Sequence, residues 1–190
     1  MDRPLVDFNT YLRHEDVSGW DKLCREYGKI RTYKKGEEFC TCGHLSRYIG
    51  LIKEGSVKYV VYNSSDGEER VIGLETVGGF AASFPYSLRG RPSIFSVVVS
   101  SDSEIYCVSV RKIIELSRHD EEVRHIIMQS LEAVFYTLYE RYTELYTLSP
   151  KERYERLLKR CPGLFETFHL KDIASYLNVT RQHLSRLRRG

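Results

Sequence analysis

At 190 residues, 42% hydrophobic and a net charge of +3, the chain can hold one large domain, or one medium and one small. No apolar run approaches the roughly 18–20 residues of a membrane span, and MDRPLVDFNTYLRHED at the start has no apolar block resembling a secretory leader. A cytoplasmic location is therefore expected, and the five cysteines (24, 40, 42, 107 and 161), an odd number, should be reduced thiols.

Residues 5–28 are expected to be helical and to pack beside a β-rich segment. From about Ile30 to Val110 the pattern is all-β. Short runs such as RYIGLI, SVKYVVY, RVIGL and SIFSVVV alternate with the turn signals KKGEE, KEGS, SSDGEE and TVGG. Asp66-Gly67 is the strongest hairpin mark. Strands at this spacing predict a sandwich or roll rather than a parallel sheet. Within it, Cys40, Cys42 and His44 of FCTCGH would share one side of an extended segment. The spacing is not a usual zinc pattern and no second Cys/His cluster completes four ligands, so no metal is expected.

From about Asp120 to Leu148 the period changes. Ile127, Leu131, Val134, Leu138, Tyr142 and Leu145 recur at steps of three and four, one stripe along a single helix. Its 29 residues would span about 43 Å, more than one face of such a roll needs. The stripe is therefore expected to bury against a twin helix in a homodimer, with Glu140, Arg141 and Glu144 as flanking charges. Tyr136, Tyr139, Tyr142 and Tyr146 crowd the same helix, and the expected role is packing in core and seam.

Ser149-Pro150-Lys151-Glu152 reads as N-cap, N1, N2 and N3 of the next helix, which should present Tyr154, Leu157 and Leu158 and stop at Cys161-Pro162-Gly163. The chain thus divides into segments 1–119, 120–148 and 149–190. Charge divides with it. Residues 150–190 carry ten Lys and Arg against four Asp and Glu, while the remainder is mildly acidic. A basic tail on an acidic body points to a polyanionic partner.

KDIASYLNVTRQHLSRLRR predicts two helices joined by a tight turn. Ile173, Leu177, Val179, Leu184 and Leu187 are the inward positions, and Ala174 permits a close crossing. Asn178 suits a left-handed backbone, and Thr180 can cap the second helix. This is a helix-turn-helix, whose second helix enters the major groove of double-stranded DNA. Facing outward are Arg181, Gln182, His183, Ser185, Arg186, Arg188 and Arg189. Arg can fork onto guanine and Gln onto adenine, with Arg188 and Arg189 placed for the phosphate backbone.

The order roll, long helix, helix-turn-helix resembles the CRP/FNR family of bacterial transcription regulators, those related to the cyclic-AMP receptor protein. The resemblance rests on YKKGEEF from Tyr33, on RYIGLIKEGSVKYV with Gly55, and on LKDIASYLNVTRQHLSR. The stretch LSPKERYERLLKRCPGLFETFHLKDIASYL looks like the linker of regulators from the Bacteroidetes branch. The resemblance implies an α+β fold. Its parts would be an N-terminal double-stranded β-helix or jelly-roll sensor, a long dimerisation helix and a C-terminal helix-turn-helix domain. It further implies a homodimer on near-palindromic operator DNA, working with RNA polymerase, and recognition residues at Arg181, Gln182, Ser185 and Arg186. Gln182 stands where many relatives carry Glu.

Relatives that bind cyclic nucleotide carry F-G-E-[LI] and, about ten residues on, R-[ST]. Here the matching stretch is GGFAASFPYSLRGRPSIF, with Ala81 and Ala82 in place of Gly-Glu, and Arg89 and Arg91 as the nearest arginines. An alanine cannot hold a ribose hydroxyl, so cyclic AMP bound in the usual mode is not expected. The resemblance places an effector pocket between roll and long helix, at Phe80, Ala82, Phe84, Tyr86, Arg89, Arg91, Ser93, Thr137, Leu138 and Tyr139. The identity of the small-molecule effector stays open. So do two alternatives, a scaffold-only roll on a DNA-binding dimer and a sensor module without DNA binding. An FNR-like iron–sulfur centre would need an N-terminal cysteine cluster, and Cys24 stands alone there. No phosphate loop, His-Glu metal helix or serine elbow is present, so no enzyme is expected.

Overall fold

The computed structural model describes residues 18–189; the expected helical stretch before Ser18 lies outside them. Helix α1 (Ser18–Tyr27) precedes six strands: β1 (Lys29–Tyr33), β2 (Glu38–Cys40), β3 (Tyr48–Tyr62), β4 (Glu69–Thr76), β5 (Phe80–Ala82) and β6 (Ser96–Ser109). All pairings are antiparallel. The path runs β1-β6-β3-β4, with β2 on β6 and β5 on β3, which rolls the sheet around a core of Ile52, Val57, Val97, Val99 and Ile105.

Two turn signals resolve differently. Asp66-Gly67 is the β3–β4 hairpin, with Gly67 at φ +69°. KEGS is no turn: RYIGLI and SVKYVVY are one long strand, bent where its register against β6 slips around Glu54 and Ser56. Gly55 sits in the bend at φ +89°, where a Cβ would lie 2.1 Å from Ser103 Oγ. Only glycine fits both the dihedral and the space.

After the roll come α2 (Val110–His119) and α3 (Glu121–Thr147). The first was not expected as a separate helix. Asp120 divides them, its carboxylate accepting from the amides of Glu122 and Val123 at 2.9 and 3.3 Å. Then come α4 (Pro150–Arg160), α5 (Leu164–Thr167), α6 (Leu170–Tyr176) and α7 (Arg181–Leu187). Ser149 and Glu152 form the reciprocal capping box that their spacing predicts, with Pro150 at the helix start. Among the described residues, no helix is long and apolar enough to cross a membrane.

The C-terminal helices fold back on the roll. Val60, Val71 and Leu74 share one core with Tyr154, Leu157, Leu164, Phe168, Ile173, Ala174, Leu177 and Leu184. The Val71 amide donates to Ser175 Oγ at 2.9 Å. Lys58, almost fully buried on β3, donates to Asp172 of α6 at 3.1 Å and pairs with Glu69. Burial disfavours the Lys58 charge, but its bonds to the two carboxylates more than offset that and leave its pKa above the usual lysine value.

Candidate nucleic-acid interface and effector cavity

Helices α6 and α7 meet through a turn built by local rules. Asn178 adopts φ +54°, the left-handed backbone that asparagine tolerates. Thr180 Oγ1 accepts from the His183 amide at 3.1 Å and starts α7. Two arginines hold the C-terminal end of α6, where carbonyls lack helical partners. Arg141 of α3 donates to Tyr176 O at 2.8 Å, and Arg153 of α4 to Leu177 O at 3.2 Å. Leu184 is fully buried, which sets the rotation of α7.

That rotation turns Arg181, Gln182 and Arg186 into solvent, with Ser185 and His183 half-buried beside them. Leu170, Arg181, Gln182, Ser185, Arg186 and Arg189 line one open depression. Among the described residues, Arg181 and Arg186 form no ion pair. Arg188 is exposed but parked over the Phe165 ring at 4.3 Å, and Thr180 spends its hydroxyl as the cap.

Along α3 the expected seam splits between two faces. Val123, Ile126, Ser130 and Ala133 are buried on the molecule's own core, and Ile127 packs against the same cluster. The uncovered face carries Met128, Phe135, Leu138, Tyr139, Tyr142, Leu145 and Tyr146, from 39 to 75% exposed. Val134 lines a partly open cavity instead. Arg141 and Glu144 are not flanking charges of a seam: Arg141 turns inward to α6, and Glu144 pairs with Arg156 and Arg160 of α4, each at 3.0 Å.

The cavity, about 340 Å3, lies between β3, β4, the β5–β6 connection, α3 and α6. Of the expected lining, Phe80, Ala82, Phe84, Tyr86, Thr137 and Leu138 surround it. Arg89, Arg91, Ser93 and Tyr139 do not. Arg89 and Arg91 are exposed, at the end of and just after a 3-10 turn, Ser87–Arg89. Ser93 is buried and donates to Phe95 O at 2.6 Å, and Tyr139 stacks outside on Phe135. Ala81 and Ala82 are buried in β5, paired with Gly50 and Ile49. Sequence reasoning missed Trp20, Tyr59, Leu74, Phe95, Arg141 and Tyr176, which come from separate elements and carry no joint signal in one dimension.

Four of the cysteines, all but the half-buried Cys42, are buried packing groups. Cys24 and Cys40 lie in the core, and burial raises their thiols to about 12 and about 11, so both stay protonated and unreactive at neutral pH. Among the described residues, no three His, Cys, Asp or Glu side chains group as metal ligands.

The cyclic nucleotide-binding domain family matches residues 30–120. Among solved structures, FixK2 from Bradyrhizobium japonicum superposes with a TM-score of 0.74 at 18% identity, covering 85% of this chain and 83% of its own. The c-di-GMP responsive global regulator CLP of Xanthomonas campestris gives 0.67 at 15%, covering 92% and 90%. The Thermus thermophilus catabolite activator protein gives 0.56 at 23%, covering 95% and 85%. At these identities the likeness is one of fold. No curated protein sequence matches the chain.

Proposed function

We propose that this chain, whose residues 30–120 match the cyclic nucleotide-binding domain family and whose fold is that of CRP/FNR regulators, is a homodimeric transcriptional regulator. It binds near-palindromic double-stranded DNA through a helix-turn-helix made of α6 and α7, and acts in the cytoplasm with RNA polymerase. The observation that carries this reading is the basic outer face of α7. Leu184 fixes the rotation from within, and Arg181 and Arg186 have no acidic partner among the described residues to neutralise them. Guanidinium groups gathered on one exposed helix face are the electrostatic footprint of a polyanion-binding surface.

Arg181, Gln182, Ser185 and Arg186 are the base-reading set, and Arg189 a phosphate contact. The apolar face of α3 supplies the dimer. Two copies joined along it would place their α7 helices about 34 Å apart, one turn of DNA. The roll contributes the effector cavity. An effector is preferred to a scaffold-only roll because the cavity touches α3 and α6 as well as the sheet, so its contents bear on the DNA-binding end. Cyclic AMP in the usual mode is left out of the reading, since Ala81 and Ala82 replace the Gly-Glu pair and neither Arg89 nor Arg91 lines the cavity.

Arg186→Ala is expected to cost about 1–3 kcal/mol of operator affinity and to relax preference at one base pair per half-site. Binding-site selection before and after the change checks this; an equal loss on every sequence makes Arg186 a phosphate contact. With about 6–10 phosphate contacts, affinity should fall roughly 10³–10⁵-fold between 50 and 200 mM salt. Affinity insensitive to salt would overturn the DNA-binding reading.

A further inference from the structure

We propose that the cavity takes an apolar, ring-bearing small molecule with one hydrogen-bond-accepting end, seated so that this end meets Arg141. This deepens the effector-gated reading above and rests on it.

The lining is dominated by rings, among them Trp20, Tyr59, Phe80, Phe84 and Phe95, with Ile49, Leu74 and Ala133 between them. Its polar members are largely spent within the protein. Ser130 Oγ donates to Ile126 O at 2.7 Å and accepts from Trp20 Nε1. Thr137 Oγ1 donates to Ala133 O at 2.7 Å. The Tyr59 hydroxyl donates to Phe80 O at 2.8 Å and accepts from the Ala82 amide at 3.2 Å. Glu75 is partnered as well. A nucleotide placed here would have Arg141 alone for its phosphate and no partner for its ribose hydroxyls, a desolvation cost that apolar contact does not recover. The volume of about 340 Å3 is about twice the dry apolar cavity that takes up benzene, which suits a two-ring skeleton.

Arg141 is the cation at the cavity wall with donors to spare. A guanidinium has five N–H groups, and Arg141 gives one to Ile72 O of β4 and one to Tyr176 O of α6. Its plane also lies over the Tyr176 ring at 3.8 Å. The same side chain therefore ties α3 to the roll and to the first helix of the DNA-binding pair. A ligand acceptor that takes a spare Arg141 N–H enters a junction that already joins all three.

The test titrates the full chain, without DNA, with 2-acetylnaphthalene, with 2-ethylnaphthalene as the analogue lacking the carbonyl oxygen, and with cyclic AMP. Both naphthalenes should bind, the acetyl compound about tenfold more tightly, the worth of one hydrogen bond to a charged donor. Cyclic AMP should bind neither as tightly as the acetyl compound nor in competition with it. Arg141→Met should erase the tenfold preference and leave 2-ethylnaphthalene binding unchanged. Ala133→Phe and Thr137→Phe, which fill the cavity from two positions on α3, should each abolish binding of both. Equal affinity for the two naphthalenes in the unaltered chain, no binding of either, tighter binding of cyclic AMP, or binding that survives both filling substitutions would overturn the proposal. Because no DNA is present, loss of operator binding bears on the regulator reading alone, and failure of these titrations on the cavity alone.

Discussion

A Leu138→Glu chain should run in solution at the 22.2 kDa of a single copy, and the unaltered chain should run at twice that. The expectation comes from the outer face of α3. Met128, Leu131, Phe135, Leu138, Tyr142 and Leu145 succeed one another at three and four residues, the a/d spacing of a two-helix seam. Phe135, Leu138 and Tyr142 are 64, 60 and 60% exposed, a row of large apolar side chains of the kind that marks an interaction surface. Burying each such side chain contributes about 1.5–3 kcal/mol. A carboxylate at position 138 removes that gain twice and sets two like charges across the twofold axis. Phe135→Glu, which does not line the cavity, should do the same. Sedimentation or light scattering decides it, and a dimer that survives both changes would refute the seam.

Asp172→Ala should destabilise the chain by about 3 kcal/mol in urea unfolding, at the lower end for breaking a buried ion pair. Lys58 would keep Glu69 but lose the carboxylate that closes its inner side, and its ammonium would stay buried between β3 and α6. Replacing both groups, Lys58→Met with Asp172→Leu, should recover most of the loss, because an apolar pair of similar volume needs no compensating charge. Glu69, a third exposed, can then turn to water. If Asp172→Ala costs under about 0.5 kcal/mol, the pair is effectively solvated and the docking of α6 on the roll rests on its apolar contacts alone.

Local chemistry decides which parts of the fold are legible in the sequence. Asn178, Thr180 and the Ser149–Glu152 box are each specified by neighbours within four residues, and each stands as expected. The roll is legible from its turn residues, except where Gly55 bends a strand without ending it: a glycine reads alike in a turn and in a bulge. The α3 stripe is harder. That helix is apolar on two adjacent faces, one for its own core and one uncovered, so a single stripe drawn through 127, 131 and 134 crosses from one to the other. Arg141 gives no signal at all. On a helix wheel it passes for a seam charge, and only folding brings Ile72 and Tyr176 to it.

Selection of binding sites from a random pool of duplex DNA by the intact chain tests the regulator reading most directly. The enriched sequence should be an inverted repeat whose half-site centres lie about 10 base pairs apart, read by two α7 helices on one face of the duplex. No enriched sequence, or a single site without its inverted copy, would contradict it.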